Sequence, residues 1–113
     1  MNEYQLHEAD KFKFIDEGKG EVLVLLHGLF GSLSNYSALL DAFTDQYRVL
    51  VPVLPLFELP KRELSVQALA DHVLDFIQHL GLSKVHLIGN SLGGHVGLVM
   101  TLDAPLLIHT LTL

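Results

Sequence analysis

Ser91 is the residue whose neighbours point most directly to chemistry. It lies in the segment Gly89-Asn-Ser-Leu-Gly93, which fits the pattern G-x-S-x-G of a sharp strand-to-helix turn with a nucleophilic serine at its tip. Glycines on both sides let the chain approach itself closely where a Cβ would crowd the turn. The turn would lift the Ser91 hydroxyl above a sheet edge. It would also place the Leu92 N–H at a helix N-terminus, where that group can hold a developing oxyanion.

The pattern gains meaning from its context. G-x-S-x-G alone is weak evidence, since most chance matches are ordinary turns rich in glycine and serine. Here an apolar stretch, 85–88, precedes the turn, and a helix-compatible run, 94–103, follows it. The strand, turn and helix that a nucleophilic serine requires are therefore all predicted.

A second glycine loop, His27-Gly-Leu-Phe-Gly-Ser32, follows five apolar residues, Val22 to Leu26. An unbroken apolar run predicts a strand buried on both faces, as in parallel sheets covered by helices. Active sites of open α/β sheets lie at the carboxyl ends of such strands. We expect the loop to supply a second oxyanion donor, the N–H of Leu29, with Phe30 as the alternative. For His27 we favour a role in bracing the loop by hydrogen bonds over proton transfer.

The remaining elements are predicted from hydrophobic periodicity. Alternation predicts one or two strands in residues 3–16, and apolar stretches predict further strands at 47–54 and 106–113. Apolar stripes predict a helix at about 35–45 and another that Ser65 caps and that runs to Leu80. Strands and helices alternate, so we predict an α/β fold, a mostly parallel sheet flanked by helices with right-handed crossovers.

Composition limits the class of protein. The 113 residues suffice for one domain, and the net charge of −6 argues against a nucleic-acid partner. There is no cysteine, so disulfides and thiolate chemistry are excluded. The polar, acidic start is unlike a signal peptide, and no apolar run approaches the ~18 residues of a membrane span. We expect a cytoplasmic protein without membrane partners, and no metal or cofactor site, since no His, Asp and Glu group has ligand spacing.

The two glycine motifs together resemble those of the α/β-hydrolase superfamily, esterases and carbon–carbon bond hydrolases especially. The likeness runs from about Phe12 to Leu113. It implies that Ser91 is the nucleophile and that the N–H groups of Leu29 and Leu92 form the oxyanion hole. Haloalkane dehalogenases and epoxide hydrolases of the superfamily have an aspartate at this turn, so the serine disfavours those branches.

The resemblance also implies substrate-binding positions. Asn35 follows the glycine loop and Asn90 precedes the serine, as in the carbon–carbon hydrolase branch, although both residues also suit ordinary turns. Phe30 completes the expected substrate contacts. No cofactor is implied, and the substrate would be a small ester-like molecule.

The sequence departs from the superfamily after the serine. The family order is serine, acid and histidine. The only acid after Ser91 is Asp103, and the only histidines are His95 and His109. None of these suits the role: Asp103 would lie about 18 Å along a helix, at ~1.5 Å per residue. We therefore expect residues 1–113 to be a single truncated α/β-hydrolase core domain, the N-terminal half of the fold. The acid and histidine are expected beyond residue 113, and this chain alone should be inactive.

Three functional hypotheses remain open. The first is a serine hydrolase that cleaves carboxylic esters or related acyl compounds through Ser91. The second is hydrolysis of a carbon–carbon bond by the same serine. The third is a non-catalytic half-domain that acts in self-association or partner binding, because the apolar strand 106–113 would form an open sheet edge and such edges pair with other chains.

Overall fold

The computed structural model describes residues 4–28, 36–56, 60, 62 and 64–113. In this part of the chain the strands are β1 (Leu6–Ala9), β2 (Phe12–Glu17), β3 (Glu21–Leu26), β4 (Tyr47–Pro52), β5 (Val85–Gly89) and β6 (Ile108–Thr112). The helices are α1 (Ser37–Phe43), α2 (Val66–His79) and α3 (Leu92–Asp103). The predicted order of elements is confirmed, although α1 is shorter than the predicted 35–45.

The strands form one mixed sheet in the order β1-β2-β4-β3-β5-β6. β1 pairs antiparallel with β2, and β2 pairs antiparallel with β4. β3, β4, β5 and β6 run parallel to one another. The carboxyl ends of β3 and β5 are adjacent, so Gly28, which follows β3, lies beside the turn that follows β5. The predicted fold class, a mostly parallel sheet flanked by helices, is confirmed.

β3 is buried on both faces because its side chains enter two different cores. Val24 and Leu26 belong to the larger cluster, which packs beneath α2 and α3. Leu23 and Leu25 belong to a smaller cluster on the opposite face, beneath α1. The continuous apolar run predicted this arrangement, since a strand with only one covered face alternates apolar with polar residues.

Local residues define both ends of α2. The Ser65 hydroxyl accepts a hydrogen bond from the Ala68 N–H at 3.0 Å and so caps α2, as predicted. Gly81 follows that helix with φ at +69°, a conformation that glycine adopts without the penalty of a Cβ.

No helix among the described residues is long and apolar enough to cross a membrane.

β6 lies at the end of the sheet and pairs with β5 alone. The open edge predicted for this segment is therefore present in the described part of the chain. Ile108 is buried against the larger core, whereas the flanking Leu106 and Leu113 are 89% and 75% exposed. α3, which packs against β6, carries two further exposed leucines, Leu98 and Leu102.

An ion pair fastens the antiparallel strands to the parallel ones. The Nε and Nη2 atoms of Arg48 on β4 donate to the two carboxylate oxygens of Asp16 on β2, at 2.9 and 2.8 Å. Both side chains are partly buried, and the hydrogen bonds from Arg48 to Asp16 raise the pKa of Arg48 against the opposing effect of burial. A two-point pair of this geometry holds strand register better than a single contact.

We expect Asp16→Asn to lower the free energy of unfolding by about 1 kcal/mol, because it removes one member of a partly buried, two-point pair. Chemical denaturation of both proteins measures the difference. Asp75→Asn is the matched control, since Asp75 makes one 3.5 Å contact with Lys11 between side chains that are more than half exposed. Equal effects of the two substitutions would contradict this account of the Arg48 pair.

Candidate active site

Ser91 occupies a sharp turn between β5 and α3. Its φ and ψ are 56° and −116°, outside the regions that an L-residue favours. Among the described residues other than glycine, only Asp10 shares a positive φ. A conformation of this kind costs on the order of 1–3 kcal/mol and persists only where the surrounding structure enforces it. The strained strand-to-helix turn predicted from G-x-S-x-G is therefore present.

Both glycines of the motif are required by close contacts. A Cβ placed on Gly89 would lie 2.5 Å from the carbonyl oxygen of Gly93. A Cβ on Gly93 would lie 2.1 Å from the carbonyl oxygen of Leu26, at the end of β3. Real side chains do not tolerate such distances, so the spacing of the motif follows from the packing of the turn against itself and against β3.

Backbone hydrogen bonds order the start of α3. The Gly93 N–H donates to the backbone carbonyl oxygen of Asn90 at 2.9 Å, and the amides of Gly94 and His95 donate to the backbone carbonyl oxygen of Ser91 at 2.9 and 3.3 Å. Leu92 is the first residue of α3 and follows the serine directly. Its N–H lies at the positive end of the α3 dipole, the position predicted for an oxyanion donor.

The two glycine motifs meet at Gly28. A Cβ placed on Gly28 would lie 3.3 Å from the Asn90 oxygen and 3.4 Å from the Ser91 Cβ. The first glycine of the loop after β3 therefore packs on the serine turn itself. Asn90 is exposed at this junction, and its N–H donates to the Leu26 oxygen at 3.1 Å.

His27 is held between two backbone groups. Its ring is buried, with 5% of the residue exposed. Nε2 accepts the Leu54 N–H at 3.0 Å, and Nδ1 lies 2.9 Å from the Gly28 oxygen. Because an N–H can only donate and a carbonyl can only accept, the ring is neutral and carries its proton on Nδ1. These are hydrogen bonds of the kind that the predicted bracing role of His27 requires.

A groove of about 280 Å³ lies beside the serine. Leu98 and Leu113 supply its apolar lining, and His95, one turn into α3, also lines it. The groove opens next to Ser91, so it can receive an apolar group attached to a carbonyl that approaches the hydroxyl.

The other sequence candidates for a triad lie elsewhere. Asp103 is the last residue of α3 and accepts a hydrogen bond from Gln67 at 2.7 Å. His109 lies within β6, with its ring centroid 4.9 Å from that of His86. No hydrogen bond joins the Ser91 hydroxyl to a histidine or carboxylate within the described ranges. No group of three histidines or acids there is placed to hold a metal ion.

Three predicted site residues, Leu29, Phe30 and Asn35, lie outside the described residues. The structure adds Tyr36, which falls within the predicted helix range 35–45 and directly precedes α1. Its hydroxyl donates to the Leu26 oxygen at 3.1 Å. A signal for this contact was available, because a buried tyrosine hydroxyl needs a hydrogen-bond partner.

Comparison with known proteins agrees with this geometry. The sequence model of the family described as alpha/beta hydrolase fold matches residues 21–113, which include both glycine motifs. The chain belongs to the alpha/beta hydrolase family. The crystal structure of MGS-MChE2, an alpha/beta hydrolase enzyme from the metagenome of lagoon sediments at Mar Chica, Morocco, superposes with a TM-score of 0.91 at 38% identity. The match covers 95% of this chain and 49% of that hydrolase.

Sequence relatives within the family have several names. A Haemophilus influenzae protein named "Putative esterase/lipase" is 36% identical over 80% of this chain and 32% of its own length. A soluble epoxide hydrolase of Corynebacterium sp. is 30% identical over 91% and 35%. A 2-hydroxy-6-oxo-6-phenylhexa-2,4-dienoate hydrolase of Burkholderia cepacia is 35% identical over 80% and 34%. The chain thus spans about a third of the length of these hydrolases.

We expect Gly93→Ala to lower the free energy of unfolding by about 3 kcal/mol, because its Cβ meets rigid backbone at Leu26. Gly94→Ala is the matched control in the same turn of α3. There the added methyl group would lie 3.3 Å from the flexible end of Leu113 and 3.5 Å from the Gly89 carbonyl oxygen, an ordinary contact distance, so a change within about 1 kcal/mol is expected. Denaturant titration separates the two variants. A Gly93→Ala protein as stable as the wild type would contradict the contact.

Proposed function

We propose that this protein is a serine hydrolase that cleaves carboxylic esters or related acyl compounds, with Ser91 as its nucleophile. The observation that carries the proposal is the backbone of Ser91, a strained turn at the carboxyl edge of the sheet followed by an amide at a helix N-terminus. A packing role does not require a serine in this conformation, since strain of this kind is concentrated at functional sites.

In the proposed reaction, the Ser91 oxygen attacks the carbonyl carbon as its proton passes to a histidine. The carbonyl oxygen becomes an oxyanion, which the N–H groups of Leu92 and Leu29 stabilise. Collapse of this intermediate breaks the bond to the leaving alcohol, which takes the proton from the histidine, and leaves an acyl group on Ser91. Water then attacks the acyl group by the same route, releases the acid and restores the serine.

The histidine and its orienting acid are expected in sequence beyond residue 113. A serine without a base is a weak nucleophile at neutral pH, so the 113-residue chain alone should turn over little or no substrate. The relatives support this division, since each is about three times as long as the matched segment.

Substrate contacts are proposed at the mouth of the turn. Asn90 is exposed there, and the groove between Leu98 and Leu113 would accept an apolar acyl or alcohol group. Phe30 and Asn35 complete the proposed set. Hydrolysis of a carbon–carbon bond is a second candidate, supported by the two asparagines and by the relative named for a 2-hydroxy-6-oxo-6-phenylhexa-2,4-dienoate.

In the full-length protein we expect Ser91→Ala to lower kcat for a p-nitrophenyl ester by at least about 10³-fold, because the acylated oxygen is lost. The release of p-nitrophenolate measures the rate. Ser65→Ala is the matched control. It removes the cap of α2, which costs about 1 kcal/mol of stability, and leaves the turn intact. Ester hydrolysis that survives Ser91→Ala undiminished would refute the proposed nucleophile.

A non-catalytic role in self-association is the remaining candidate. It is supported by the free edge of β6 and by the exposed side chains of Leu106 and Leu113. We expect the 113-residue chain to dimerise or form larger species through this edge. Light scattering after size-exclusion chromatography gives the mass.

The charge-introducing pair Leu106→Lys and Leu113→Lys should restore a monomer, whereas Leu6→Lys, at the opposite edge of the sheet, should not. A wild-type chain that stays monomeric at about 100 µM, where contacts with a Kd near 10 µM would be largely formed, would contradict this candidate.

A further inference from the structure

Three parts of the candidate site converge on one atom, the carbonyl oxygen of Leu26. It ends β3 and accepts the Asn90 N–H at 3.1 Å. It accepts the Tyr36 hydroxyl, also at 3.1 Å. It also lies against Gly93, where a Cβ would come within 2.1 Å of it. The end of β3, the serine turn and the residue before α1 are thus joined through a single acceptor.

The surroundings of Tyr36 keep its hydroxyl in place as a hydrogen-bond donor. It is 6% exposed and packs in the smaller core cluster with Leu25, Leu40 and Val51. Burial raises the pKa of the Tyr36 hydroxyl above its usual value, so the group stays protonated and remains a donor. Its ring is fixed by packing, which leaves the hydroxyl little freedom to choose another acceptor.

We propose that Tyr36 is a positioning residue for the hydrolytic reaction, acting on the serine turn through the Leu26 carbonyl. This inference depends on the proposed function of Ser91. Tyr36 need not touch substrate. It holds the Leu26 oxygen in the place from which that oxygen binds Asn90, the residue before the nucleophile.

Loss of the Tyr36 hydrogen bond is expected to weaken stabilisation of the transition state. The carbonyl of Leu26 has two acceptor sites, and both are occupied. When the tyrosine donor is removed, the end of β3 can shift relative to Asn90 and Gly93. Displacements of a few tenths of an ångström change how well an amide faces a developing oxyanion. They matter little to ground-state binding, because the charge has not yet formed.

A purely structural role makes a different prediction. If the Tyr36 hydroxyl served only the core, its loss would lower the free energy of unfolding and leave kcat of the folded enzyme unchanged. Kinetics normalised to the concentration of folded active sites therefore separate the two roles. Titration with a fluorophosphonate counts those sites.

The test compares Tyr36→Phe with Tyr47→Phe in the full-length protein. Tyr47 packs against the same cluster but begins β4, at the opposite end of the strands from the serine turn. We expect Tyr36→Phe to lower kcat by about tenfold, the upper range for one hydrogen bond, with KM within about twofold. The Ki of a trifluoromethyl ketone, which forms an oxyanion on the serine, should rise by the same factor, and that of the carboxylate product should not. Tyr47→Phe should leave all four constants unchanged.

A second variant distinguishes loss of the hydrogen bond from misfolding of Tyr36→Phe. 4-Aminophenylalanine at position 36 keeps the ring and an N–H donor, so kcat within about threefold of wild type is expected, since one neutral hydrogen bond replaces another. Wild-type kcat in Tyr36→Phe, or the full tenfold loss in the amino variant, would overturn the positioning role. If Ser91→Ala keeps its activity, the proposed nucleophile fails instead, so the two failures are distinguishable.

Discussion

The packing of Gly93 against the carbonyl oxygen of Leu26 is the constraint on which the rest of the site depends. The start of α3 approaches the end of β3 so closely that no Cβ fits between them. The parallel pairing of β3 with β5 sets this approach, since Leu26 lies beside Gly89 in the register of the two strands. The turn between Gly89 and Leu92 must then reverse within two residues, and Ser91 takes the positive φ that this reversal requires.

The packed strands and hydrogen bonds around Ser91 hold its backbone in the strained conformation. β3 and β5 are central strands, with both faces of β3 buried in separate cores. His27 adds a second brace, because its ring joins the backbone after β3 to Leu54 beyond β4. For the proposed nucleophile, such a frame would mean that little freedom is lost on reaching a reactive geometry, which is the advantage of a preorganised site.

Much of this could be predicted from the sequence, and the reasons are physical. The apolar run before His27 predicted a doubly buried strand, and Gly89 and Gly93 predicted a turn that excludes side chains. The bracing role of His27 was also predicted. The contacts of Tyr36 and Gly28 were not, because they join residues through backbone atoms whose positions depend on sheet order and register. Leu29, Phe30 and Asn35 lie outside the described residues, so their roles stay predictions.

The most direct test of the account is covalent labelling of the full-length protein by a fluorophosphonate, followed by mass spectrometry of its peptides. The reagent loses fluoride to an activated serine and leaves a phosphonyl group on its oxygen. We predict one label per chain, on the peptide that contains Ser91, and none after Ser91→Ala. A label on another residue, or an unlabelled protein that still hydrolyses esters, would contradict the claim that this strained turn carries the nucleophile.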